Sequence, residues 1–100
     1  MFRGLRNLDA TIEHAAAHYG MKGAKQVVLS GGSAGGLATF LHADRVGRVL
    51  GGVGASVTTL RALPQLGYFL DHTDINGTDA FGAGMAHAFH MQNLTSAPSG

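Results

Sequence analysis

Hydrophobic residues in the N-terminal part of the chain recur at spacings of three and four. The series is Leu5, Leu8, Ile12, Ala16 and Tyr19. Because such a series lies on one face of a helix, the pattern predicts a helix over residues 6–19. Gly20 and Gly23 follow it and are expected to end it, since glycine is common just beyond a helix C-terminus.

The next hydrophobic segment has the character of a short buried strand. Residues 25–30 include Val27, Val28 and Leu29 and are followed directly by glycine, which predicts a strand over this range. A second helix is predicted over residues 37–46, and we expect Leu37, Phe40 and Leu41 to face inward. The glycine-rich stretch 47–54 is predicted to be a loop.

The β-branched residues at 57–59 predict a second strand over residues 55–63, and Pro64 is expected to limit it. An aromatic-rich turn over 67–71, a loop over 73–84 and one or two helical turns over 85–91 complete the pattern. Helix–strand–helix–strand order is typical of an α/β protein with a parallel sheet. Two such strands cannot cover their own faces, so we interpret residues 1–100 as part of a domain truncated at both ends.

Composition narrows the class of protein. The chain has 100 residues, 45% of them hydrophobic, with 7 Lys and Arg against 6 Asp and Glu. This is a globular composition, and its charge gives no basis for nucleic-acid binding. No apolar run is long enough to span a membrane, and no signal peptide is visible. The absence of cysteine excludes a disulfide or a thiol nucleophile within the chain.

The most specific motif lies between the first predicted strand and the second predicted helix. Gly31, Gly32, Ser33, Ala34 and Gly35 match the pattern G-x-S-x-G, which is typical of a nucleophile elbow in serine hydrolases. In that turn, small neighbours let strand and helix approach closely. The serine hydroxyl stands above the sheet edge, and the N–H of the next residue faces a developing oxyanion.

Other interpretations of this turn remain open. Ser33 could be only a small residue in a tight turn. A glycine-rich turn before a helix can also bind phosphate through its N–H groups, but no lysine follows these glycines and no dinucleotide-binding pattern is in register. Nucleotide binding is therefore a remote alternative. The six histidines are interpreted as surface or packing residues, and we expect no metal site and no cofactor.

Several further segments occur in a recognisable order. They are Phe2-Arg3-Gly4, Gly20-Met21, residues 29–39, His42-Ala43-Asp44, Gly67-Tyr68-Phe69-Leu70-Asp71 and Met91-Gln92-Asn93. Together with the elbow they resemble the central block of the pectin acetylesterase family, which includes the Notum carboxylesterases. The combination covers most of the chain and is far more specific than G-x-S-x-G alone.

This resemblance implies an α/β-hydrolase fold and serine carboxylesterase activity. The substrate would be an acetylated, pectin-like polysaccharide or an acylated protein, and the enzyme would be secreted. Ser33 would be the nucleophile and Ala34 an oxyanion donor through its backbone N–H. Tyr68 and Phe69 are candidates for lining the pocket, although aromatic residues after a strand are more often core, and we favour a core position for Phe69. The acid and histidine of the triad would lie outside this chain, which alone would be inactive.

The chain departs from the family pattern at three places. Gly32 and Ala43 stand where the family usually has cysteine, and Gln65-Leu66 stands where it usually has Asp-Ala. The missing cysteines imply a divergent branch with fewer disulfides. An inactive hydrolase-like module that binds acyl or glycan ligands is the main alternative.

The chain also contains local candidates for the acid and base of a triad. The candidates are Asp71, His72, Asp74 and His90. Their order and spacing fit a hydrolase triad poorly. We expect His42 to point away from the turn, either as a helix-packing residue or salt-bridged beside Asp44 or Arg45.

Overall fold

The structure, a computed structural model, describes residues 3–91. Phe2, Gln92 and Asn93, which belong to the motifs quoted above, lie outside the described residues. The chain divides into two compact units, one containing residues 3–68 and the other residues 69–91 of the described part. Each unit is described separately.

The first unit contains most of the regular structure. Its elements are helix α1 (Gly4–His18), a 3-10 turn (Met21–Gly23), strand β1 (Gln26–Gly32), helix α2 (Ala34–Gly52) and strand β2 (Thr59–Gln65). The second unit contains helix α3 (Ala80–Met91). The expected mixture of helices and strands is confirmed. None of the helices within residues 3–91 is both long and apolar enough to cross a bilayer.

The two strands pair in parallel, as predicted. Gln26 lies opposite Thr59 at one end of the ladder and Gly32 lies opposite Gln65 at the other. Helix α2 connects the two strands, which is the crossover that parallel pairing requires. The carboxyl ends of β1 and β2 therefore lie side by side.

Strand β2 contains Pro64, so the expectation that this proline limits the strand is wrong. The carbonyl of Gln65 points to the β1 side, because it accepts a hydrogen bond from the residue that follows β1. Since successive residues of a strand alternate in direction, Pro64 faces away from β1, and its missing N–H costs no bond to that strand.

The core of the first unit lies between its two helices and one face of the sheet. Ile12, Val46 and Leu50 are buried there. The partly buried hydrophobic residues around them are Leu8, Met21, Val27, Leu29, Val49, Ala55, Val57 and Leu60. On the other face of β1, Val28 is exposed. This alternation is the pattern of a strand with one covered face.

Helix α2 is longer than predicted. It continues to Gly52 through the stretch predicted as a loop. Glycine lowers helix stability by about 1 kcal/mol per residue, but Val46 and Leu50 lie on one face and are buried, and this packing offsets the cost. Phe40 and Leu41, predicted to face inward, are 60% and 63% exposed.

Other predicted boundaries are shifted. Tyr19, predicted on the buried face of α1, is exposed beyond the end of that helix. Strand β1 continues to Gly32, and β2 begins at Thr59 and not near residue 55.

Helix α3 begins inside the stretch predicted as a loop. Its start is fixed by Asp79, whose Oδ1 accepts a hydrogen bond from the Gly82 N–H at 3.0 Å. This is the geometry of an N-cap.

An ion pair joins the two helices of the first unit. The Arg45 guanidinium donates from Nε to Asp9 Oδ1 at 3.1 Å and from Nη2 to Oδ2 at 2.6 Å. The hydrogen bonds from Arg45 hold the pKa of Asp9 below its usual value, although partial desolvation opposes the change. The same hydrogen bonds raise the pKa of Arg45.

Candidate active site

Ser33 lies at the junction between β1 and α2 and has an unusual backbone conformation. Its φ is 53° and its ψ is −119°, a combination that L-residues other than glycine rarely adopt. Its N–H donates to the Gln65 carbonyl at 3.0 Å, and its own carbonyl accepts from the Leu37 N–H at 3.1 Å. The strained conformation persists because β2 holds one side of Ser33 and α2 holds the other.

Glycine is required on steric grounds at three positions around this junction. A Cβ on Gly31 would overlap the Gly35 carbonyl. A Cβ on Gly36 would lie 2.5 Å from the Gln65 oxygen, and a Cβ on Gly67 would overlap the backbone of Gly36. All of these neighbours are backbone atoms, which cannot move aside as a side chain can.

The predicted elbow glycines are therefore not equivalent. A Cβ on Gly31 would overlap the Gly35 backbone, whereas a Cβ on Gly32 or Gly35 would meet no atom within 4 Å. Neither Gly36 nor Gly67 belongs to the G-x-S-x-G pattern. Gly36 directly follows the motif and Gly67 is the first residue of the aromatic segment 67–71, but neither position by itself reveals a steric role.

The Ser33 hydroxyl and the start of α2 provide the chemical groups of the candidate site. Ser33 is exposed, and its hydroxyl makes no capping hydrogen bond to α2. Ala34 is the first residue of α2, a position whose N–H has no acceptor within a helix. The first turn carries no acidic residue. The partial positive charge of a helix N-terminus thus lies beside a serine hydroxyl.

The end of β2 forms the other half of this edge. Ser30 Oγ donates to the Leu63 carbonyl at 3.0 Å, and the Gln65 Nε2 donates to Ser30 Oγ at 3.4 Å. Leu66 follows β2 with a φ of 51° and is 89% exposed. These contacts join the two strand ends through side chains as well as through the ladder.

A cavity of about 170 Å³ lies on the helix side of this junction. Its lining residues are Leu8, Leu29, Ser30, Gly31, Gly35, Ala38, Thr39 and His42. Ser33 is not part of the lining. His42 is half-buried there and, within the described residues, forms no ion pair with Asp44 or Arg45. Of the two expectations for His42, the salt bridge is therefore wrong, whereas its place beside Leu8 and Leu29 in the cavity wall agrees with a packing role.

Two of the local acid and base candidates, Asp74 and His72, have hydrogen-bond partners of their own. Asp74 Oδ1 accepts from the N–H groups of Asn76 and Thr78 at 2.8 and 2.9 Å, which fixes a turn. The Nδ1 atom of His72 lies 2.7 Å from the Thr73 carbonyl. Among residues 3–91, no group of three metal-ligating side chains comes together.

The two candidate pocket aromatics belong to different units. Tyr68 is exposed at the end of the first unit. Phe69 is partly exposed in the second unit and stacks on Phe81, with ring centroids 6.1 Å apart and planes inclined by 5°. Phe69 is therefore part of an aromatic pair and not of a closed core.

The chain matches the family model described as pectinacetylesterase over residues 1–98. It therefore belongs to the pectinacetylesterase family.

Individual relatives agree with this assignment. Human palmitoleoyl-protein carboxylesterase NOTUM is 40% identical over 60 residues, which is 60% of this chain and 12% of that protein. Pectin acetylesterase 7 of Arabidopsis thaliana is 37% identical over 76 residues, which is 76% of this chain and 18% of the relative. Pectin acetylesterase 11 of the same plant gives the same figures. The chain thus spans less than a fifth of the length of these relatives. No solved structure matches it.

Proposed function

We propose that this chain carries the nucleophile of a serine carboxylesterase and that Ser33 is that nucleophile. The observation that supports the proposal most directly is the backbone of Ser33, strained at φ 53° and held by the Gln65 carbonyl. Strained non-glycine residues persist where the surrounding structure enforces them, and they cluster at active sites. The family's pectin acetylesterase and carboxylesterase members point to the same chemistry.

In the proposed mechanism, Ser33 Oγ attacks the carbonyl carbon of an ester and passes its proton to a histidine base. The tetrahedral oxyanion accepts a hydrogen bond from the Ala34 N–H, and one such donor contributes about 3 kcal/mol to transition-state stabilisation. Collapse of the intermediate expels the alcohol, which takes the proton from the histidine. Water then attacks the acyl-enzyme and releases the carboxylic acid, restoring the Ser33 hydroxyl.

The base and its acid partner are proposed to come from parts of a longer chain. No side chain hydrogen-bonds the Ser33 hydroxyl within residues 3–68, and His72 and Asp74 have other contacts. The relatives are several times longer than this chain. A full-length protein of that size could supply the histidine base and its acid partner from other segments.

The proposed substrate is an acetylated polysaccharide or an acylated protein outside the cell. Pectin acetylesterase and palmitoleoyl-protein carboxylesterase are the names of the relatives, and both describe hydrolysis of an ester whose acyl group is uncharged. An inactive hydrolase-like module that binds acyl or glycan ligands is the second candidate, and it would differ from an esterase in lacking the acid or the base of the triad in the full-length protein.

The test is Ser33→Ala in the full-length protein that contains this chain. We expect ester hydrolysis to fall by about 10⁴-fold or more, because removing a triad member has effects of this size. Labelling by a fluorophosphonate should also disappear, while the melting temperature stays within a few degrees of the wild-type value. Ser30→Ala, which removes a nearby hydroxyl bonded to a carbonyl, is the matched control and should keep most activity.

Retained turnover by Ser33→Ala would exclude Ser33 as the nucleophile. A wild-type protein that hydrolyses no ester and takes up no fluorophosphonate would favour the ligand-binding module.

A further inference from the structure

Two histidines lie about one turn apart on helix α1. His14 and His18 are four positions apart in sequence, and every residue between them is alanine. Residues at this spacing are neighbours on one face of a helix. The centroids of the two rings are 4.5 Å apart and their planes are inclined by 45°. Histidines four positions apart on a helix can bind one zinc ion together.

The separation of the two rings suits a shared metal ion. A tetrahedral ion bound at about 2.0 Å by two imidazole nitrogens holds those nitrogens about 3.3 Å apart. Rings whose centroids are 4.5 Å apart reach that separation by rotation of the side chains, with no change in the helix. In the described part of the chain, the only histidine ring in a hydrogen bond is that of His72. The ring nitrogens of the pair therefore have no competing protein partner among those residues.

The charges around the pair favour a cation. Residues 7–21 contain no lysine or arginine but include Asp9 and Glu13. Asp9 is neutralised by its ion pair, whereas Glu13 directly precedes His14 and forms no ion pair within residues 3–91. His18 lies in the last turn of α1, where the partial negative charge of the helix C-terminus also attracts a positive ion.

We propose that His14 and His18 form a binding site for a divalent transition-metal ion, with two imidazole ligands from α1 and water in the other positions. Imidazole suits zinc and copper, and Cu²⁺ binds such sites more tightly than Zn²⁺. A site with two protein ligands agrees with the finding that no three metal-ligating side chains come together among residues 3–91. The proposal departs from the expectation, based on sequence, of no metal site, and it does not depend on the role of Ser33.

The test is a calorimetric titration of the full-length protein with ZnCl₂ and with CuCl₂, after metal ions have been removed with EDTA. We expect His14→Ala and His18→Ala each to weaken binding at this site about 100-fold, because the helix holds the second imidazole at a high effective concentration near an ion bound by the first. In the wild-type protein, Cu²⁺ should bind more tightly than Zn²⁺.

Two further variants separate ligation from structure. His72→Ala is the matched control, since it removes an exposed histidine that has no histidine four positions away, and its affinity should stay within about twofold of wild type. His18→Cys places another zinc ligand at the same position and should retain Zn²⁺ binding. Because alanine favours helix, the melting temperatures of His14→Ala and His18→Ala in EDTA should stay within about 2 °C of the wild-type value.

Three results would overturn the metal site. They are unchanged affinity in His14→Ala or His18→Ala, an equal loss of affinity in His72→Ala, and binding of Mg²⁺ as tight as that of Zn²⁺, which would indicate attraction by charge and not ligation by imidazole. Ester hydrolysis is a separate measurement. The Ser33→Ala variant should bind both metal ions as the wild-type protein does, so failure of the proposed function would leave the metal site standing.

Discussion

Helix α2 is held against the sheet in opposite ways at its two ends. At its N-terminus, Gly36 meets Gly67 backbone to backbone, with no space for a Cβ. At its C-terminal half, Val46 and Leu50 fill the space with side chains and contact the core around Ile12. The N-terminal end of α2 is therefore positioned by direct backbone contact, and the C-terminal half is positioned by side-chain packing.

The difference matters for the proposed chemistry. Backbone contacts have few soft degrees of freedom, so the glycine end can hold Ser33 in a strained conformation. Side-chain packing supplies stability but tolerates substitutions of similar volume. We infer that α2 separates two tasks, with geometry fixed at the end near Ser33 and stability supplied at the other end.

The largest effect is expected from Gly36→Ala. Its Cβ would lie 2.5 Å from the Gln65 oxygen and 2.8 Å from the Gly67 Cα, so strand and helix must separate. We expect a loss of about 4 kcal/mol in the free energy of unfolding, at the upper end for single substitutions, measured by urea denaturation. Gly35→Ala is the control on the next residue. A Cβ at position 35 would meet no atom within 4 Å. The substitution should raise the free energy of unfolding by about 0.5 kcal/mol, since alanine favours helix.

If the Gly36→Ala and Gly35→Ala variants unfold at the same urea concentration, the backbone contact between Gly36 and Gly67 does not control the position of α2.

An intermediate effect is expected from Leu50→Ala at the side-chain end. Leu50 is 2% exposed, so truncation removes buried contacts and leaves a cavity that costs about 3 kcal/mol. Leu41→Ala makes the same chemical change on the same helix, where the leucine is 63% exposed, and should change stability by less than about 0.5 kcal/mol. Equal losses in the two variants would contradict the division of α2 described above.

The smallest effect is expected from Asp9→Asn, which breaks the ion pair between α1 and α2. Because the pKa of Asp9 is lowered in the folded chain, the pair contributes stability above the unfolded value of 3.8. That contribution is lost as the pH falls through the folded pKa. The variant should therefore be slightly less stable than wild type at pH 7, and the difference should vanish at the acidic end of a series of thermal melts.

Asp44→Asn is the matched control on α2, since Asp44 forms no ion pair in the part of the chain described here. A pH-independent difference for Asp9→Asn, or the same pH dependence in Asp44→Asn, would show that the Arg45–Asp9 pair is not its source.

Elements with strong local periodicity could be predicted from the sequence. The series containing Ile12 predicted α1, and the Val27-Val28-Leu29 run predicted β1, because each pattern agrees with the packing that forms. The parallel pairing followed from the element order. The extension of α2 across Gly47 and Gly51 could not be predicted, because tertiary packing of Val46 and Leu50 overrides the low helix propensity of glycine.

The start of α3 was missed for a different reason. Gly82 and Gly84 obscure the helical pattern, and the N-cap Asp79 is the signal that marks the start of this helix.

For the candidate site, the sequence pattern predicts the strand–helix junction at Ser33 but not the backbone contacts that hold it. The Gln65 carbonyl and the contact between Gly36 and Gly67 depend on the register of β1 with β2, which no local pattern encodes. The positive φ of Leu66 was invisible for the same reason.

The hydrogen bond that holds Ser33 comes from the main chain of residue 65 and not from its side chain. Every amino acid supplies that carbonyl, so position 65 can change its charge or length without releasing the serine. Gln65, where the family resemblance leads us to expect aspartate, is compatible with an intact junction on this ground. For engineering, position 65 offers a place to change the side chain that contacts Ser30 Oγ while the main-chain bond to Ser33 stays in place.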